Sequence, residues 1–281
     1  MAWKVGQEWI ANGPLPELMG IVNCTPDSFF DGGKRPTIDL QEDFALSLLD
    51  EGARILDIGG ESTRPGSCGV GAQEELDRVA PLLERLVRHQ KSRRFWLSID
   101  TVKHPVAKAA LDLGVQIVND ISMCRHDPDM GVLIAQTGAS VVLSHMRGEP
   151  QNMQVNPFYT DCVDEVKNEL IDATLGLMRL GVAQERICLD PGIGFGKRLE
   201  DNYALIRNAR EFVALGFPIL YGLSRKSYIA KTPGLETSDR LVPSIVSALH
   251  VVQQGVQLLR VHDVRATYEA VTMWNVLHIS T

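Results

Sequence analysis

The chain has 281 residues, which suits one large α/β domain, and 44% of them are hydrophobic, enough to fill a sizeable core. A net charge of −7 without any basic stripe excludes nucleic acid as a partner, so any phosphate must be held by a local site acting against the global charge. The five cysteines, Cys24, Cys68, Cys124, Cys162 and Cys188, are odd in number and lack C-x-x-C spacing, which predicts reduced thiols and excludes a disulfide framework or zinc site.

The first residues, MAWKVGQEWIANGPLPEL, lack a continuous apolar h-region and are expected to form a short extension over about 1–16. No apolar run approaches the roughly 18–20 residues that span a bilayer. The expectation is a soluble cytoplasmic protein without membrane partners. Short apolar runs then alternate with helical patterns. The runs that predict strands are Leu18–Val22, Arg54–Ile58, Phe95–Ile99, Val115–Val118, Ser140–Leu143, Ile187–Leu189, Pro218–Tyr221 and Gln257–Val261. Between them the spacing predicts helices, for instance over Glu42–Glu51, where Phe44, Ala45, Leu48 and Leu49 share a face, and over Glu74–Arg88. Others are expected over Val106–Leu113, Met130–Gln136, Val163–Leu180, Tyr203–Val213, Pro243–Gln254 and Ala266–Val276. Gly52, Gly114, Gly181 and Gly216 follow helices, where a left-handed cap is expected. Eight strand–helix units in series imply a single-domain (β/α)8 TIM barrel.

Polar residues gather just past the strands. In order they are Asn23 with Thr25, Pro26 and Asp27; Glu61 with Ser62, Thr63 and Arg64; Asp100; Asn119 with Asp120; His145; Asp190; Ser224 with Arg225 and Lys226; and Arg260 with His262 and Asp263. The carboxyl ends of barrel strands form the mouth where such enzymes place their sites. The pattern therefore predicts an enzyme with a polar, mixed-charge mouth.

Within GIVNCTPDSFFDGG, Asn23 offers an amide oxygen suited to a hard cation such as Mg²⁺, and the loop is long enough to cover a substrate. In ILDIGGESTRPG, Arg64 suits an anionic group, whereas Asp57 lies inside the strand and reads as an anchor for loop amides. Asp100, Asn119 and Asp190 at three strand ends can meet the donor-rich edge of a flat heterocycle, although each alone suits a helix cap equally well. The stretch DPGIGFGK is neither a Walker loop nor a dinucleotide fingerprint; its glycines imply a close backbone approach. Lys226 and Ser227 stand where a helix begins, a place suited to a carboxylate. Arg260 and His262, two apart on an extended segment, suit a diphosphate. The remaining histidines show no metal spacing, which argues against a zinc hydrolase.

The ordered motifs GIVNCTPDSFFDGG, DIGGESTRPG, SIDT, NDIS, SHMRGEPQNMQ, LDPGIGFGK, GLSRKS and RVHDV resemble the dihydropteroate synthase family from about Leu18 to Val264. That resemblance implies joining a dihydropterin diphosphate to p-aminobenzoate, with Mg²⁺ as cofactor and a homodimer as the assembly. It implies that Asp100, Asn119, Asp190 and Lys226 bind the pterin. Asn23, Thr63, Arg260 and His262 would handle the diphosphate, with Asn23 near the metal. Thr25, Pro26, Asp27 and Phe29 on one loop, and Ser62, Thr63, Arg64 and Pro65 on the other, would close over the site. Together with Lys226, Ser227, Phe195 and Met146 they would form the p-aminobenzoate pocket, which a sulfonamide is expected to contest. Asp100, Lys226, Arg260 and His262 would carry the catalysis. Cys24, Ile193 and Pro243 depart from the family's usual residues, and none of them bears one of these roles. Val246, Ala248, Leu249, Val252 and Val271 are candidates for one packed face of the dimer, although a monomeric barrel would bury the same residues. Two other readings use a similar pocket: a barrel that passes a methyl group from methyltetrahydrofolate to a corrinoid, and a pterin-binding protein without turnover. Neither requires the Arg260, His262 and SRKS groups together.

Overall fold

The computed structural model describes residues 1–25, 37–62, 66, 67, 69–235 and 239–278. Two three-residue strands open the chain, β1 (Trp3–Val5) and β2 (Glu8–Ile10), paired antiparallel around Gly6. Eight parallel strands follow: β3 (Glu17–Asn23), β4 (Ile55–Gly59), β5 (Trp96–Asp100), β6 (Ile117–Asp120), β7 (Ser140–Ser144), β8 (Ile187–Asp190), β9 (Leu220–Gly222) and β10 (Leu258–Val261). Each pairs with its sequence neighbours, β10 returns to β3, and a parallel bridge between Leu189 and Ile219 closes the ring between β8 and β9. The predicted (β/α)8 barrel is what forms, with each expected strand within two residues of its place.

The helices between the strands are α1 (Ile38–Asp50), α2 (Ala72–His89), α3 (His104–Leu113), α4 (Met130–Thr137), α5 (Cys162–Arg179), α6 (Leu199–Arg207), α7 (Ala209–Val213), α8 (Ser227–Ala230), α9 (Leu241–Gln253) and α10 (Val264–His278). The four helix-ending glycines all take positive φ, as expected. The single helix expected over Tyr203–Val213 is two, α6 and α7, because Asn208 leaves helical geometry between them. No helix among the described residues is long and apolar enough to cross a membrane.

Alternation along the strands divides the interior in two. Residues of one phase, such as Leu18, Leu56, Leu97, Val118, Val141, Ile187, Tyr221 and Leu259, join the helices in one large apolar cluster outside the sheet. The other phase faces the lumen. Its lowest tier is Met19, Ile55, Trp96, Ile117, Val142, Cys188, Leu220 and Leu258, one residue from each barrel strand. The β1–β2 hairpin plugs this end: Trp3, Val5 and Ile10 are buried among those eight side chains. Polar contacts fasten the plug, since Trp3 Nε1 donates to the Arg186 carbonyl at 3.0 Å and Ser140 Oγ to the Lys4 carbonyl at 2.7 Å.

Candidate active site

Two residues further along each strand the lumen changes character. The next inward positions are Ile21, Asp57, Ser98, Asn119, Ser144, Asp190, Gly222 and Arg260. At or just past the strand ends stand Asn23, Gly59, Asp100, Ile121, Met146, Gly192, Ser224 and His262. The inward phase that is apolar at the floor thus becomes ionic two positions higher. Side-chain bonds tie this polar tier together. Asp57 is fully buried and accepts from Ser98 Oγ at 2.6 Å, Asn119 Nδ2 at 3.0 Å and Arg260 Nε at 2.6 Å. The same guanidinium reaches Asp100 Oδ2 at 2.6 Å. Asp57 therefore holds side chains across the barrel, not the loop amides that its position in the sequence suggests. Arg260 spans two carboxylates, which leaves only part of its donor fork for a substrate anion.

Ionisation follows from this crowding. Burial raises the Asp100 carboxyl, and Arg260 opposes the shift. Asp190, accepting from the Gly192 N–H at 2.8 Å and from Ser144 Oγ at 3.0 Å, is raised by the same loss of water. Lys226 is pushed down to about 8 by burial and by Arg260, while Asp190 and Asp100 pull the other way. His262 falls to about 4, first from burial and then from Arg260 and Arg225, so it is neutral at pH 7. It can donate or accept a hydrogen bond there, but it adds no charge to the basic corner expected for a diphosphate. Its Nδ1 lies 3.2 Å from Ser224 Oγ.

Lys226 caps α8, and its Nζ sits 4.0 Å from the centroid of the Phe195 ring. Ser227 is the exposed first residue of α8. That helix is one turn long, so an anion held here depends on side chains more than on a helix dipole. Phe195 and Met146 pack in a small apolar cluster with Ile121 and Met153. Asn119 is buried, and its Oδ1 has no partner among the described residues. An acceptor left open in such a place is costly unless a ligand fills it. Asn23 ends β3, with Thr25 half-buried just beyond; Ser62 is half-buried past β4 and accepts from Ser67 Oγ through its carbonyl. Pro26, Asp27 and Phe29 of the first expected loop, and Thr63, Arg64 and Pro65 of the second, lie outside the described residues. Cys24 is buried, and burial pushes its thiol up to about 12, so it is no thiolate at neutral pH.

A cavity of about 520 Å³ opens beside Asp100 and Met146 and runs out over Lys103, Ser122, Arg125 and His126. At its edge Lys103 pairs with Glu61 and with Glu75 of α2. His145, counted with the mouth on sequence grounds, is fully buried behind β7, where it meets Glu169 and Lys197. The glycine-rich loop does make a close approach, but to protein. A Cβ on Gly192 would lie 1.8 Å from the His145 carbonyl oxygen, and one on Gly196 2.1 Å from that of Arg147.

Residues 19–262 match the family model described as pterin binding enzyme. The dihydropteroate synthase of Neisseria meningitidis serogroup B is 42% identical over 287 aligned positions, which cover 99% of this chain and 98% of that one. The chain belongs to the dihydropteroate synthase family. It is accordingly a transferase. The dihydropteroate synthase of Xanthomonas albilineans, solved with 4-aminobenzoic acid, superposes with a TM-score of 0.91 at 39% identity, covering 100% of this chain and 99% of that one. The Yersinia pestis dihydropteroate synthase, solved as a sulfonamide drug complex, gives 0.89 at 37% identity, covering 99% of this chain and 98% of that one.

Several residues of this site have roles that the motif reading did not assign. Ser98 and Ser144 open the SIDT and SHMRGEPQNMQ motifs and support Asp57 and Asp190 from within strands, a role that their place in the motifs did not reveal. Glu75 gave a signal, since it shares the helical spacing of Val79, Leu82 and Leu86 and so lies on the buried face of α2. Ile121 lies inside the NDIS motif, but as an apolar residue its lining role showed only in its period-two place after Asn119.

Proposed function

We propose that this site condenses 6-hydroxymethyl-7,8-dihydropterin diphosphate with p-aminobenzoate, giving 7,8-dihydropteroate and diphosphate. The observation that carries the reading is the unpaired, buried Asn119 Oδ1, set between Asp100 on the neighbouring strand and Asp57 below it. Acceptors arranged in this way match the amino and ring N–H donors of a pterin edge. The neighbour solved with 4-aminobenzoic acid supports the second substrate. In this chain the Lys226 ammonium over Phe195, beside Ser227, offers a cation for the benzoate and an aromatic face for its ring.

The chemistry is dissociative. The bond from the exocyclic methylene carbon to the diphosphate oxygen breaks, and its electron pair leaves with diphosphate. Asp100 faces the resulting delocalised pterin cation and stabilises it. The aniline nitrogen then attacks the methylene carbon, and its proton passes to solvent. No protein nucleophile is needed, which accords with a buried, protonated Cys24 thiol.

Asn23 Oδ1 and Asp100 Oδ2 lie 3.8 and 3.7 Å from the point that a Cβ on Gly59 would occupy, so the glycine leaves a cradle between two oxygen donors. Two protein oxygens suit Mg²⁺ only when phosphate oxygens and water complete its shell. Asn23 would hold the ion there, and when bound it would neutralise charge on the departing diphosphate. We also propose a homodimer through α9 and α10, where Val242, Val246, Met273, Val276 and Leu277 are exposed. Of the face expected from sequence, Ala248, Val252 and Val271 are instead buried against the barrel, because their helical phase points inward. The test of the reaction is direct. Purified protein given the pterin diphosphate, p-aminobenzoate and Mg²⁺ should release dihydropteroate and diphosphate in equal amounts; diphosphate release without coupling would refute the reading.

A further inference from the structure

Lys197 is 3% exposed, yet no carboxylate among the described residues is bonded to it. Its Nζ donates to His145 Nδ1 at 3.0 Å, to the His145 carbonyl at 3.3 Å and to the Phe195 carbonyl at 3.0 Å. These bonds use the three N–H donors of an ammonium. Burial holds the Lys197 amine down to about 7; its ammonium form has only donors, so in that form His145 Nδ1 accepts and the ring proton sits on Nε2, 3.1 Å from Glu169 Oε2. Glu169 is in turn paired with Arg147 and Arg125. Burying a cation strips its hydration, and a methionine of similar length would fill the same space without that loss. What methionine lacks is the ability to hold two backbone carbonyls from different loops on one atom.

Those carbonyls belong to the turn after β7 and to the glycine loop after β8. The same loop is suspended by Tyr159, whose hydroxyl donates to the Gly196 carbonyl at 2.9 Å, and by Gln154, which donates to the Gly194 carbonyl at 2.7 Å. Between these two anchors the Phe195 carbonyl hangs on Lys197 alone among the described residues. The Phe195 ring is the surface beneath the Lys226 ammonium. We propose that Lys197 is a positioning residue that fixes Phe195, and through it Lys226, for the arylamine substrate. It acts through the backbone and touches neither substrate.

This inference rests on the proposed reaction and makes a split prediction. Of the residues expected at the pterin, Asp100 and Asn119 are held by Asp57 and Arg260, and Asp190 by Ser144 and Gly192; among the described residues none of these bonds reaches Lys197, and only Lys226 is shared with the arylamine pocket. Lys197→Met should therefore raise KM for p-aminobenzoate by about tenfold or more, the scale of a lost charge-assisted hydrogen bond. KM for the pterin diphosphate should stay within about twofold, the level expected for an uncoupled site. Loss of a merely structural lysine would move both constants together or neither, and either result overturns the proposal. If Lys197→Met does not fold, His145→Ala and His145→Asn decide. Asparagine places an oxygen near the lost Nδ1, so it should restore the p-aminobenzoate KM that alanine raises; equal behaviour of the two variants contradicts the proposal. A wild-type protein that forms no dihydropteroate overturns the reaction assignment and this inference with it, whereas an active wild type with an unsplit Lys197→Met overturns this inference alone.

Discussion

The floor and the mouth of this barrel are built from the same strands, and their side chains point the same way. The floor tier, from Met19 round to Leu258, is apolar and sealed by Trp3, Val5 and Ile10. One inward step higher stand Asp57, Ser98, Asn119, Ser144, Asp190 and Arg260, joined by bonds of 2.6 to 3.0 Å. Two residues of rise, about 7 Å, separate tight apolar packing from a buried ionic lattice. The difference teaches that the fold does not dictate the chemistry of the lumen. Height along each strand does, with stability at the amino ends and reactivity at the carboxyl ends.

The largest expected effect comes from taking the ion out of the upper tier. Arg260→Met leaves buried Asp57 and half-buried Asp100 without their shared partner, and breaking a buried pair costs about 3–5 kcal/mol. Urea unfolding should show that loss, and the double variant with Asp57→Asn should recover part of it. If Arg260→Met loses under about 1 kcal/mol, the value typical of exposed ion pairs, the lattice is not the rigid unit described.

A smaller effect sharpens the contrast through pH. The Lys226 ammonium is held down to about 8, so in the free enzyme its charge is lost as pH rises through that value. Since kcat/KM reports free-enzyme ionisations, kcat/KM for p-aminobenzoate should fall about tenfold per unit above pH 8. Lys226→Arg keeps its charge there and should carry the limb to higher pH. A limb near 8 that survives in Lys226→Arg would assign it to another group. No limb is expected from His262 at neutral pH, since it is already uncharged well above about 4.

Much of this was legible in the sequence because the signals are local. Short apolar runs marked the eight strands, and residues such as Asn119 and Asp190 marked their ends. The hairpin was not legible, since Trp3–Val5 and Glu8–Ile10 are too short to show a period, and their burial depends on eight strands met later in the chain. The partners of Arg260 lie 203 and 160 residues away, so only folding shows that its charge is already matched. His145 was misplaced for a related reason, since a polar residue at a strand end points into the mouth in one phase and behind the sheet in the other, and Lys197 was overlooked because it lies in the loop after β8, where no period marks its direction. The same ambiguity of phase left open whether Ala248, Val252 and Val271 meet a second copy or the barrel, and the fold buries them against the barrel.

The account turns on whether the upper tier reads the pterin ring while the floor only supports it. Calorimetry with a reduced pterin lacking the diphosphate tests this without any turnover. Wild type and Trp3→Ala, compared at a temperature where both are folded, should bind it alike. Asn119→Leu, which removes the open buried acceptor, should bind it about tenfold or more weakly. Equal binding by Asn119→Leu and wild type, or a loss in Trp3→Ala as large as that in Asn119→Leu, would contradict the division between floor and mouth.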